Sequence, residues 1–271
     1  MAVVGVVLVS GGWVTSGGFS PGRSLVGSMP AGYVRVSQTF AVSAGTFDSG
    51  GQLSCAAGKV AWGGGIGFVS AYANDSLNTS AIDGSAGWQG RANDPPGDPN
   101  TVLLVDLICA KKPRLYRMQS TLVDDPAGSQ TSGSATCPTG TVLLSGSVIS
   151  DGDTTSEYLT SAWPTNSKTF EAVQENQSTS DQPFDVLALC AKKPPGYVIV
   201  NVTATAPPGI SSASPICPTG TVPIGGGIHV ATPSPAIVPL YNSVTTQGWV
   251  TETSNSTTSA TQIASYAICA S

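Results

Sequence analysis

Cys137-Pro138-Thr139-Gly140-Thr141-Val142 recurs letter for letter as Cys217-Pro218-Thr219-Gly220-Thr221-Val222, and in blurred form as Cys55-Ala56-Ala57-Gly58-Lys59-Val60. Each copy runs into an apolar stretch with glycine at a fixed place: Trp62-Gly63-Gly64-Gly65, Leu144-Ser145-Gly146-Ser147 and Ile224-Gly225-Gly226-Gly227. A second cysteine closes each unit inside an apolar run, as Cys109, Cys190 and Cys269. The units open at Pro30-Ala31-Gly32-Tyr33, Pro113-Arg114-Leu115-Tyr116 and Pro194-Pro195-Gly196-Tyr197, so the tyrosines recur after 83 and then 81 residues. Solenoid repeats run about 20 to 50 residues, so each unit has the size of a very small domain instead. The division is an N-terminal segment 1–29, then modules 30–112, 113–193 and 194–271.

Charged residues make up 10% of the 271-residue chain, while Gly, Ser, Thr and Val are abundant. Helix formers are few, and no long segment has apolar residues spaced three and four apart. The expected fold is all-β: three tandem, disulfide-stapled β-sandwich or barrel modules made of short strands between turn signals. The net charge is −5 and the sequence shows no basic face, so nucleic acid is not an expected partner.

Six cysteines, two per unit, read as a disulfide framework from an oxidising compartment. A zinc site draws on close pairs with histidine nearby, whereas these cysteines lie 54, 53 and 52 residues apart and the chain has one histidine. A unit that repeats as a unit closes its own loop, which pairs Cys55 with Cys109, Cys137 with Cys190, and Cys217 with Cys269. The apolar run Ala2 to Val9, followed by Ser10-Gly11-Gly12, has the core and exit of a secretory signal but no preceding Lys or Arg. The expected location is secreted, extracellular or at a cell surface.

After the glycine element come Ser80, Ser161 and Ser243, then an aromatic and an asparagine: Trp88 with Asn93, Phe170 with Asn176, Trp249 with Asn255. Such aromatics serve as sugar-stacking platforms or as core anchors, and recurrence in every unit favours the core. Trp163, beside Pro164 in a polar loop and without a counterpart, is the better exposed contact. Binding candidates are therefore Trp163, Trp249, Asn255, Trp88 and Asn93.

Catalytic and metal signals are weak. His229 needs a carboxylate orienter, which the third unit supplies only as Glu252. Asp151-Gly152-Asp153 with Glu157, and Asp94 with Asp98, are oxygen-rich but lack the EF-hand pattern. Gly18-Phe19-Ser20-Pro21-Gly22 matches the nucleophile elbow formally, with Pro21 badly placed for it. Asn74, Asn78, Asn176, Asn201 and Asn255 each head an N-x-S/T triplet. No catalytic residue, metal site or cofactor is expected.

Lys111-Lys112-Pro113 and Lys192-Lys193-Pro194-Pro195 join the units; such lysines keep an edge strand from pairing or form a patch for an acidic polymer. From Tyr197 to Ser271 the only charged side chain is Glu252, a surface suited to contact with a partner or to self-association.

The Cys-Pro-Thr-Gly-Thr-Val, Gly-Gly-Gly, Trp, Asn and Tyr266-Ala267-Ile268-Cys269-Ala270 elements resemble a module of secreted proteins from actinobacteria and related high-GC bacteria. Similar stretches occur near the tips of some phage tail fibres and pilus adhesins. Unit one departs from the pattern at Ala56. The resemblance implies a secreted, non-catalytic, adhesive protein recognising an extracellular polymer or surface glycan; the alternative is a structural coat or fibre subunit.

Overall fold

The computed structural model describes residues 29–71, 75–97, 99–150 and 154–271. The signal-like run, the elbow-like motif, Asn74, Asp98 and Asp151-Gly152-Asp153 lie outside the described residues. Among the described residues every regular element is a strand. Module one contains β1 (Val34–Val42), β2 (Thr46–Ser54), β3 (Val60–Ser70), β4 (Ser76–Asp83), β5 (Gly87–Asp94) and β6 (Thr101–Ala110). Module two contains β7 (Arg117–Val123), β8 (Ser129–Thr136), β9 (Val142–Ser150), β10 (Glu157–Pro164), β11 (Thr169–Asn176) and β12 (Phe184–Ala191). Module three contains β13 (Val198–Ala206), β14 (Gly209–Ala213), β15 (Val222–Val230), β16 (Ile237–Val244), β17 (Trp249–Asn255) and β18 (Thr261–Ala270).

Each module is a two-layer sandwich, with its first, sixth and third strands in one layer and its second, fifth and fourth in the other. The layers continue from one module into the next. The three sheets run β1-β6-β3-β16-β17-β14, β2-β5-β4-β9-β12-β7 and β13-β18-β15-β10-β11-β8. Every sheet is thus half one module and half another, and the modules close into a pseudo-threefold ring. The expected all-β modules are present; they are fused into one unit through antiparallel seams β3/β16, β4/β9 and β10/β15.

The disulfides follow the repeat: Cys55–Cys109, Cys137–Cys190 and Cys217–Cys269, with Cα atoms 5.7, 5.6 and 5.7 Å apart. Each ties the layer of the first, sixth and third strands to the end of the facing layer. Within each sandwich the recurring aromatic fills the space over the middle glycine. A Cβ on Gly64 would lie 2.5 Å from the Trp88 ring, and one on Gly226 equally close to Trp249. Phe170 covers Gly146 in the same way. One apolar core joins residues of all three modules, among them Ile66, Leu144 and Ile268.

The seams bring main chains close together. A Cβ on Gly227 would stand 2.7 Å from the Cα of Trp163, and one on Gly65 would stand 2.6 Å from the Cα of Ser243. Real Cβ atoms do not approach that closely, so both seams require glycine. Opening tyrosines lock the ring: Tyr33 Oη donates to Pro223 O at 2.8 Å, Tyr116 Oη to Ala61 O at 2.7 Å and Tyr197 Oη to Leu143 O at 2.8 Å. Module one thereby holds module three, two holds one, and three holds two. Burial pushes the Tyr33 hydroxyl up to about 12 and raises those of Tyr116 and Tyr197 as well.

Candidate functional site

The expected binding residues separate into two groups. Trp88 and Trp249 are 1% exposed and lie in the core, where their indole N–H groups donate to Ser80 Oγ at 3.2 Å and Asn242 Oδ1 at 2.6 Å. Neither offers a face to a ligand. Asn93 and Asn255 are equally buried. Asn255 Nδ2 donates to Ala206 O and Ser259 O, both at 2.9 Å, while its Oδ1 accepts from the backbone N–H and the hydroxyl of Thr257. Asn176 makes the matching set with Asp125 O, Ser180 O and Ser178. Asn93 Nδ2 instead crosses to module two and donates to Glu157 O at 2.7 Å. These asparagines are loop clamps and seam ties, so as binding residues Trp88, Trp249, Asn93 and Asn255 are corrected.

The serines are corrected too. Bulges fall after Leu77, Leu159 and Pro239, and across the seams Ser80 faces Val148, Ala162 faces Ile228 and Asn242 faces Ile66. Ser80, Ala162 and Asn242 are therefore the equivalent positions, and Ser161 and Ser243 sit one residue to either side of theirs.

Trp163 has a different setting. It is the penultimate residue of β10, half-buried, paired across the strand with Glu171 on β11, which in turn faces Ser134 on β8. On its other side comes Gly227, then Tyr266 on β18 and Asn201 on β13. Cross-strand neighbours share a face, so one row, Ser134-Glu171-Trp163-Gly227-Tyr266-Asn201, crosses the outer face of the sheet shared by modules two and three. His229, two residues beyond Gly227 and so on the same face, stacks on Trp163 with ring centroids 4.4 Å apart and planes tilted by 38°.

Gly227 contributes no side chain between Trp163 and Tyr266. Trp163, Tyr266, His229 and Glu171 are half-buried, while Asn201 and Ser134 are exposed. Burial raises the Tyr266 hydroxyl pKa and lowers that of His229, which favours neutral rings at neutral pH. The row is a half-buried aromatic shelf with one carboxylate, an amide and hydroxyls at its edge. Sequence reading named Trp163 and not the neighbours that the register sets beside it, Tyr266 and Glu171; the cue was the Gly-x-His spacing beside two strands of alternating pattern, legible only once the register was known.

Glu252 lies in another sheet, facing Tyr241 and Ser212, so it does not orient His229. Glu157 is buried and its Oε1 accepts from Gln174 Nε2 at 2.6 Å. Among the described residues no group of three metal-ligating side chains is assembled. Comparison with known proteins finds no matching family model and no matching curated protein.

Proposed function

We propose that the protein is a secreted binding protein that engages an extracellular or cell-surface glycan through the aromatic row shared by modules two and three. The observation that carries the reading is the row of Trp163, Tyr266 and Asn201 with Glu171 and His229 at its side. A sugar ring has a face of C–H groups and a rim of hydroxyls. The first fits an aromatic plane, and the second fits carboxylate, amide and hydroxyl groups that stay partly hydrated. Three disulfides are compatible with an oxidising, extracellular location, and the resemblance to modules of adhesive proteins points the same way. The test is a glycan array followed by calorimetry on each hit. Trp163→Ala should weaken binding by roughly 5- to 10-fold with the melting temperature nearly unchanged; an array without hits, or a variant that binds like the parent, would overturn the reading.

The fibre or coat reading is favoured by one feature. The edge strands β13 and β14 of module three carry no charge, and they expose Val202 and Ile210, the latter by 70%. Charged side chains are the usual guard on such edges. Light scattering over a concentration series tests this reading, and a constant monomer mass would remove it.

A further inference from the structure

We infer that a second site, separate from the aromatic row, lies at one pole of the ring and binds an anionic polymer bearing closely spaced sulfate or phosphate groups. At the end where β1, β7 and β13 begin, the three junction segments surround a cavity of about 500 Å³. Lys111, Lys112, Arg114, Lys192 and Lys193 line it, over a floor that includes Trp62, and no lining residue carries a carboxylate side chain. The lysines do not guard sheet edges, because β6 and β12, which they follow, are inner strands of their sheets.

Two of them are held in place. The Lys112 ammonium stands 5.7 Å from the centroid of the Tyr116 ring, and Lys193 stands 5.7 Å from that of Tyr197. Those rings are the ones whose hydroxyls lock the modules together. The third equivalent place, four residues before Tyr33, is taken by the exposed Met29. The cationic rim is therefore a two-thirds copy of the pseudo-threefold pattern, with one apolar gap.

Lysines gather at this end of the molecule, where the exposed Asp83 of the β4–β5 turn is also found. All six lysines of the chain lie at this end, with Lys59 and Lys168 joining the four of the junctions. The loops and strand ends at the opposite pole carry Asp75, Asp94, Asp124, Asp125, Glu157 and Asp181, and among the described residues no Lys or Arg. A chain of net charge −5 thus presents a strongly positive pole. Five cations line one cavity, and their fields add over a Debye length of about 8 Å at physiological ionic strength. A single small anion neutralises one or two of them, whereas a run of sulfates or phosphates meets them together. Lysine serves as a point charge for such groups and imposes no forked geometry.

The experiment is calorimetric titration with heparin, with inorganic polyphosphate and with neutral dextran. Wild type should bind at least one charged polymer, with affinity falling steeply between about 50 and 200 mM salt, and should ignore dextran. Binding of heparin alone identifies a sulfated glycan as the source of the anions, binding of polyphosphate alone identifies phosphate, and binding of both identifies charge spacing as the criterion. The variant K111Q/K112Q/K192Q/K193Q should lose roughly tenfold or more, while W163A, which leaves the cationic pole intact, should bind as wild type does. Should the fourfold variant fail to fold, K112Q/K193Q gives the same comparison. Absence of binding by either polymer at low salt, equal binding of dextran, or unchanged binding by the lysine variants would overturn the site.

Discussion

The seam between modules two and three and the seam between modules one and three have the same backbone and opposite surfaces. Where the first has Trp163, Tyr266 and Asn201, the second has Ser243, Asp106 and Ser37 at the matching places in the register. Asp106, 1% exposed, accepts from Ser243 Oγ at 2.7 Å and from Ser37 Oγ. Arg35 stands 3.7 Å from the same carboxylate and donates to Val244 O at 2.9 Å. Where His229 lies beside one row, Gly67 lies beside the other, covered by the Tyr241 ring. Burial, with the Asp106 carboxylate adding to it, pushes that tyrosine hydroxyl up to about 12. One row satisfies its polar groups internally; the other leaves its aromatic rings half-buried at the surface. Glycine placement and strand pairing build both, and the outward residues alone make the two faces different.

The comparison breaks first if the common framework is not common. Trp88→Ala and Trp249→Ala should each lose about 3–5 kcal/mol through lost burial and the cavity left, measured by chemical denaturation. A gap of more than about 2 kcal/mol between them would mean that modules one and three are not equivalent in their cores.

Asp106→Asn and Tyr266→Phe probe one register position in the two seams. The first puts an amide among donors that need an acceptor and should cost about 1–3 kcal/mol. The second keeps the ring, removes a half-exposed hydroxyl, and should stay within about 0.5 kcal/mol. Similar costs in denaturant melts would show that the row of Tyr266 is as tightly built as that of Asp106.

The smallest effect is in pH. Burial lowers the His229 pKa below its unfolded value of about 6.5, so below that pH the unfolded chain takes up more protons and the histidine's contribution to stability fades as pH falls. Asp125 and Glu175, raised by burial, act in the opposite sense: their share is present at acid pH and lost as pH rises through their folded pKa values. Comparing melting temperatures of the protein and His229→Gln from pH 7.5 to 5 isolates the first trend; an unchanged difference across that range would show that His229 titrates normally.

The repeat, the strand content and the cysteine pairing were legible because each is local or recurs. Cys55 and Cys109 announce their partnership by a spacing that is copied twice. The sharing of sheets was not legible, since Asn242 pairs with Ile66 across most of the chain and nothing near either residue points to the other. Ser161 and Ser243 were misplaced because the equivalent positions, Ser80, Ala162 and Asn242, carry three different residues, and in a serine-rich chain a serine next to each passed for the repeat. Trp88 read as a core residue from its recurrence, yet it and Asn255 stayed among the binding candidates until burial was known. Tyr266 was hidden inside a closing motif that looked purely structural.

The tyrosine locks have a consequence for evolution and synthesis. A stack of repeats grows or shrinks by one unit at its ends, but here the last lock, Tyr33 to Pro223, spans 190 residues and joins the first module to the third. A nascent chain with two modules leaves β3 without β16 and β10 without β15, two bare interior edges that invite intermolecular pairing. A fourth copy has no seam to enter. A further unit would have to break one of the three seams before it could join, so the ring closes at three.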